Sequence, residues 1–434
     1  DKSLRRRCAG PNDMIDSLLQ PFRFFAGSDL SLRRKRLFMR AAAATPLGTF
    51  LLRKLYAPPM PELECEAFGM KFSSPVGIAA GFDTNGNMID ALSASGFGFV
   101  EVGSITPRPQ SGSAARRLYR LEGDHALIYN SVIESAGVER VIANIKRTRC
   151  RTVIGCNIAK NHATDERDAP ADFLRSFRSL YQYADYFTVN VCDNSAPEPF
   201  IPRTKEQVEA ILEPLFEFRR GQNQYRPVLL KISPDLSDEQ IDQLTDIMLT
   251  MPLDGLVACG GTTGRYGLEN STREIHSLGR TPGIMCGAPL KARVLHIVSH
   301  IFHRTKGACP VIACGGIADA DDVEAMIGAG AILVQICSEY IYGGGSALRK
   351  MQTELAERIR WDRAEAEGEE RRRQQQAHRQ AHLAQQEAEA EAEAEAEETA
   401  KSATAAENND TARNDNPGEG NKDSEGREDI RNKA

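Results

Sequence analysis

Eight short apolar runs, each separated from the next by a longer stretch of helical or turn-forming sequence, constrain this chain more than any other feature. The runs span 75–80, 98–103, 152–157, 185–190, 227–232, 254–259, 310–314 and 331–336. Between them lie segments of helical period at 85–95, 136–147, 171–183, 205–219, 237–249 and 319–328. Strands that are apolar throughout are buried on both faces, so the intervening helices have to cover a parallel sheet. Eight such units close naturally, and the expected architecture is α/β, a (β/α)8 barrel. An open doubly wound sheet is the competing arrangement.

In such a barrel the chemistry sits where strands end. The residues at those ends are Gly81, Gly103, Asn157, Asn190, Lys231, Cys259 and the pair Gly315 and Gly316. Gly315 and Gly316 follow a strand and precede a helix. Backbone N–H groups approach a phosphate closely at such a turn, and a helix N-terminus adds a favourable dipole. Lys231 at the end of its strand suits a flavin ring, whose reduced form carries negative charge. Asn157 and Asn190 offer a donor and an acceptor together, which matches a ring edge with both N–H and C=O, or else a loop backbone.

Outside the barrel region (71–358) the composition changes. Residues 1–70 form a basic amphipathic segment, with no acidic side chain from 31 to 61. There Arg33, Arg34, Lys35, Arg36, Arg40, Arg53 and Lys54 alternate with Leu37, Phe38, Leu47, Phe50 and Leu51. Pro46 is expected to split this stretch into two helices. Such a pair can cap the barrel, lie in a membrane interface with its cations at the headgroups, or do both. Residues 359–434 are low in complexity. Glu and Ala alternate over 387–398, which favours a solvated helix. From Thr399 onward the composition predicts disorder. This tail is read as a solvated run or as a docking segment for a protein partner.

The net charge of −6 points to no nucleic-acid partner. The ten cysteines show no CxxC spacing and read as small buried residues of a reducing compartment. The histidines form no cluster in the sequence, so no metal is expected. No apolar run is long enough to cross a bilayer. The chain opens on Asp1 rather than Met, which leaves room for a targeting peptide ahead of it.

Several stretches closely resemble class 2 dihydroorotate dehydrogenases. They are Pro-Val-Gly-Ile-Ala-Ala-Gly-Phe-Asp at 75–83, Gly-Phe-Gly-Phe-Val-Glu-Val-Gly-Ser-Ile-Thr-Pro-Arg-Pro-Gln at 96–110, and Leu-Leu-Lys-Ile-Ser-Pro-Asp-Leu at 229–236. Ala-Cys-Gly-Gly-Ile at 313–317 and Leu-Val-Gln at 333–335 belong with them. The likeness covers about residues 15–358 and implies a TIM barrel that binds FMN non-covalently. It implies oxidation of dihydroorotate to orotate with a quinone acceptor, in pyrimidine biosynthesis at the mitochondrial inner membrane. Carried over by position, the FMN contacts are Ala79, Ala80, Ser104, Asn157, Asn190, Lys231, Gly287, Gly315, Gly316, Cys337 and Ser338. Arg120 matches the arginine beside the quinone tunnel, and the basic helices resemble the extension that admits quinone.

The substrate side departs from the family pattern. Thr84 stands where a lysine is usual, Tyr129 and Gly260 replace asparagines, and Asp193 replaces the catalytic serine, with Cys192 beside it. Asp193 is the candidate base, since carboxylates commonly take protons. Three readings follow: a dihydroorotate-oxidising flavoenzyme, a catalytically inactive homologue serving as a structural or regulatory subunit, and a different FMN barrel enzyme using Asp193 or Cys192.

Overall fold

The computed structural model describes residues 28–112, 118–130, 132–192, 202–269 and 283–411. Its centre is a closed parallel barrel. In chain order the barrel strands are β3 (Val76–Ile78), β4 (Phe99–Ile105), β7 (Val153–Ile158), β8 (Tyr186–Asn190), β9 (Val228–Ile232), β10 (Gly255–Ala258), β12 (Val311–Cys314) and β13 (Ala331–Ile336). All eight coincide with the apolar runs, and β13 pairs back onto β3 to close the ring. The open-sheet alternative is therefore excluded.

Each strand lies between two layers of side chains, which is why it is apolar throughout. Inside the barrel, Phe99, Tyr186, Leu229, Val257, Ile312 and Leu333 form one buried cluster. Large rings fit there only because the neighbouring strands give way. A Cβ on Gly77 would lie 2.4 Å from the Phe99 ring, and one on Gly155 would lie 2.1 Å from the Tyr186 ring. The helical period of the connecting segments supplies the outer layer. It comprises α3 (Ile89–Ala94), α4 (Val138–Ile145), α5 (Ala169–Leu180), α6 (Lys205–Arg220), α7 (Asp238–Thr245), α8 (Ile247–Thr250), α9 (Lys291–Thr305) and α10 (Ala320–Gly328). Capping boxes start two of them. Thr204 with Gln207 opens α6, and Ser237 with Gln240 opens α7.

Two small sheets carry no periodic signature in the sequence. The hairpin β1 (Cys65–Ala67) and β2 (Met70–Phe72) packs Ala67 and Phe72 onto the inner barrel cluster and so covers that end of the barrel. An antiparallel sheet of β5 (Leu118–Leu121), β6 (Ala126–Tyr129) and β11 (Ile284–Gly287) forms beside the opposite end.

The N-terminal helices are α1 (Ser28–Ala43) and α2 (Pro46–Tyr56), divided at Pro46 with Thr45 as the N-cap of the second. Met39, Ala43 and Leu52 enter the main hydrophobic core. Other apolar side chains of the pair face outward: Leu37, Phe38, Leu47, Phe50 and Leu51 are each more than half exposed.

Residues Asp1–Arg360 form one compact unit and Trp361–Ala434 another. The last helix, α11, runs Ser338–Thr411 and is interrupted at Gly344 (φ 69°, ψ −153°). The helix runs on through 399–411, into the stretch whose composition predicts disorder. The reason is local: alanines at 400, 403, 405 and 406 keep helix propensity high, and Lys401 lies 3.5 Å from Glu397 at i,i+4 spacing.

Candidate active site

Residues at or just past the ends of all eight barrel strands line a cavity of about 770 Å3. Its floor is a chain of hydrogen bonds that begins at Glu101, wholly buried in β4. The Glu101 carboxylate accepts from Gln335 Nε2 (2.7 Å), Asn157 Nδ2 (2.9 Å), Tyr186 Oη (3.0 Å) and Thr188 Oγ1 (3.0 Å). Asn157 Oδ1 in turn accepts from Ser104 Oγ at 2.6 Å, and Asn190 Nδ2 donates to the same hydroxyl at 3.0 Å. This network orients both amides from below. Burial first, and then the Glu101 carboxylate, push the Tyr186 phenol well above its ordinary range, so it remains a donor.

Lys231 ends β9 among these groups and is 7% exposed. Burial disfavours its charged form, but Cys314 and Glu101 outweigh that and hold the ammonium above its ordinary pKa. Cys192 donates from Sγ to the Lys231 carbonyl at 2.9 Å. Burial pushes the Cys337 thiol up to about 11, so it faces the cavity as a neutral group.

The glycine turn follows β12 and lines the cavity. Gly315 (φ +123°) and Gly316 (φ +74°) both take conformations that disfavour a side chain. A Cβ on Gly316 would also lie 2.4 Å from the Lys291 backbone nitrogen. However, the helix that follows does not offer a free N-terminus. Asp319 caps it by accepting from Asp322 N at 3.0 Å, and Asp322 pairs with Lys291 at 2.5 Å. The helix start facing Gly316 is instead that of α9, which has no side-chain cap. Gly287, Gly315 and Gly316 form a glycine cradle beside the opening of α9, where the Lys291 N–H donates to the Ala288 carbonyl.

The residues present fit a flavin mononucleotide. That cradle suits its phosphate. Gln335 Oε1 is buried with no partner among the described residues, an acceptor waiting for a donor. Lys231 and the oriented amides of Asn157 and Asn190 complete a polar rim for a ring system. The cavity wall includes Ala79, Ala80, Ser104, Gly287, Cys337 and Ser338 as well. Every flavin position expected from the sequence is thus brought together.

The substrate positions are partly assembled. Cys192, Thr84, Tyr129 and Gly260 all line the cavity. Gly260 leaves open space, since a Cβ there would stand 3.6 Å from Cys192 Cβ and 4.0 Å from Lys231 Cε. Asp193 lies outside the described residues. Arg120 is not on the cavity wall; its guanidinium stacks 5.3 Å over the Tyr342 ring and lies 3.8 Å from Glu122.

Sequence reasoning missed three features. Glu101 was visible in principle as a lone charge within an apolar strand. Arg36 of α1 lines the cavity, but it is one of seven cations in a basic stretch, and nothing in that stretch marks it. The histidines do cluster in space. His296 and His300, four apart on α9, stand with Asp238 so that their ligand atoms lie within 4.8 Å of one another. They are satisfied by carboxylates, His296 by Asp238 and His300 by Asp242, both at 2.8 Å.

The family model for dihydroorotate dehydrogenase matches residues 62–359. The chain belongs to the dihydroorotate dehydrogenase family, of the quinone-dependent class. It is 37% identical over 324 residues to the dihydroorotate dehydrogenase (quinone) of Kineococcus radiotolerans, covering 73% of this chain and 88% of that one. Against the enzyme of the same name from Thermosynechococcus vestitus it is 39% identical over 305 residues, covering 69% and 82%. Among solved structures, the ligand-free dihydroorotate dehydrogenase of Eimeria tenella superposes with a TM-score of 0.64 at 29% identity, covering 73% of this chain and 93% of the other. The same Eimeria protein in complex with ferulenol gives a TM-score of 0.61 at 30% identity. None of these relatives favours the inactive-subunit reading.

Proposed function

We propose that this dihydroorotate dehydrogenase family member is an FMN-dependent oxidoreductase that converts dihydroorotate to orotate and passes the electrons to a quinone. The observation that carries this reading is the cavity itself, where a glycine cradle, the Lys231 ammonium and the unpaired Gln335 Oε1 converge. Bound FMN would supply the two-electron acceptor for hydride from the substrate ring. The chain's own residues do the rest. Gly287, Gly315 and Gly316 hold the phosphate through backbone N–H groups. Lys231 places positive charge beside the ring, where reduction adds negative charge. Glu101 keeps Asn157 and Gln335 in one orientation, so the ring edge meets fixed partners. Asp193, just past Cys192, is assigned the proton that leaves the substrate ring.

Anaerobic addition of dihydroorotate to the flavin-loaded protein tests this directly. Loss of the oxidised flavin absorbance is expected, with orotate formed in equal amount. A preparation that takes up no FMN, or one whose flavin stays oxidised, would sink the proposal.

Quinone is taken up at a membrane, proposed as the mitochondrial inner membrane, through residues 31–61. The support is physical: Phe38 (66% exposed), Leu47 (68%) and Phe50 (60%) project from helices that also carry Arg34, Arg40, Arg53 and Lys54. An apolar face flanked by cations partitions into an anionic interface. Binding to anionic liposomes is expected to weaken as salt rises. Phe38→Asp and Phe50→Asp should each lower it by about tenfold, the equivalent of losing one buried aromatic ring. Unchanged co-sedimentation of the double variant would remove the membrane assignment.

A further inference from the structure

Arg36 is a cation of the cavity wall with one long hydrogen bond and a buried Nε. It enters from α1, and its guanidinium stacks 4.9 Å over the Phe82 ring. Its one hydrogen bond among the described residues, from Nη2 to the Gly81 carbonyl, is 3.5 Å long. That is the outer limit for such a bond, and a guanidinium has five N–H donors to place. Nε is buried with no partner among the described residues. Burial lowers the Arg36 pKa, and the field of Cys337, Asp83, Tyr129 and Glu134 offsets that only in part.

The nearby carboxylates do not supply the missing partner. Asp83 and Glu134 lie within electrostatic reach, but among the described residues neither makes an ion pair with Arg36. Asp83 is already used by its own loop, accepting from the backbone nitrogens of Asn87 (3.1 Å) and Met88 (2.8 Å). A buried charge left unpaired is costly, and a built cavity that holds one is suited to an anion from outside. Thr84 and Tyr129 on the same wall are neutral. Lys231 stands elsewhere, at the end of β9 and in the field of Glu101.

We propose that Arg36 is the anion-binding residue of this cavity, taking the carboxylate of a small cyclic carboxylic acid beside Tyr129 and Thr84. This deepens the proposed function and rests on it for the identity of the acid, not for the role of Arg36. The N-terminal helix then has two roles, since α1 contributes part of the substrate pocket as well as covering it.

The test uses the full chain loaded with FMN, with ligand binding read from perturbation of the flavin spectrum. The probes are orotate and its neutral methyl ester. Arg36→Met is expected to weaken orotate by about tenfold to a hundredfold, the range for a hydrogen bond to a charged group. The ester should bind wild type and variant alike, and Arg36→Lys should recover part of the loss. Equal losses for acid and ester, or no loss for either, would overturn the proposal. So would loss of FMN from Arg36→Met, which would assign the guanidinium to the flavin phosphate. If wild type binds benzoate through Arg36 but neither binds orotate nor reacts with dihydroorotate, the Arg36 assignment stands and the dihydroorotate reading fails. If wild type binds neither orotate nor benzoate, the assignment itself falls. A melting curve for each variant separates misfolding from loss of the site, and Arg36→Lys keeps the charge if Arg36→Met does not fold.

Discussion

Glu101→Leu is expected to destabilise the barrel by about 3–5 kcal/mol, the cost typical of removing one member of a buried charged network. The carboxylate is wholly buried and accepts from Gln335, Asn157, Tyr186 and Thr188. Leucine has similar volume but no acceptor, so all four donors lose their partner at once. Tyr186 and Thr188 are themselves completely enclosed and cannot turn to solvent. Glu101→Gln keeps the shape but places an amide donor against donors, so a smaller loss of about 1–3 kcal/mol is expected from one unsatisfied pair. Denaturant unfolding of the two variants checks the ordering. FMN retention is a second readout, because Asn157 and Gln335 lose the anchor that sets their orientation. Equal stability of Glu101→Leu and wild type would show that the network contributes nothing to the fold.

Asp193→Asn is expected to slow flavin reduction by dihydroorotate by about a hundredfold to ten-thousandfold while leaving FMN bound. An amide of the same shape cannot accept the proton that the substrate ring must lose. The neighbouring groups offer no substitute: the Cys192 thiol already donates to the Lys231 carbonyl, and Lys231 is held in its protonated form. The wild-type rate is itself expected to fall below the ordinary enzyme value of roughly 10 per second. Thr84 brings no charge, Tyr129 stands where an amide is usual, and Gly260 leaves a gap beside Lys231 that a side chain would fill. Stopped-flow absorbance under anaerobic conditions measures both rates. Reduction of Asp193→Asn at the wild-type rate would show that the base is another group.

The eight barrel strands could be read from the sequence because burial on both faces leaves one solution, an unbroken run of Val, Ile, Leu and Ala. The strand-end residues Asn157, Asn190, Lys231, Gly315 and Gly316 were legible in the same way, since a polar or glycine residue interrupts the run there, and they share one cavity wall. The split of the basic segment at Pro46 was equally local, fixed by a residue without an N–H. The Ala-rich extension of α11 past Thr399 was also written locally, in propensity, and was masked by the polar composition that follows it.

Other features have no local signal. The β5, β6 and β11 strands pair residues 118–129 with 284–287, so their register depends on contacts across more than half of the barrel. Which helix start faces Gly316 is also non-local: it is that of α9, while α10 is capped by Asp319. Most of all, Arg36 and Glu101 are ordinary charges in sequence. Glu101 gains its role from three other strands that aim their donors at it. Arg36 gains its role from the packing of α1, which half-buries it against the cavity, while Arg40 reaches the same wall but is exposed and Arg34 is exposed. Patterning determined the barrel. Only the tertiary structure decided which charges are buried, because burial depends on what the rest of the chain brings to each side chain.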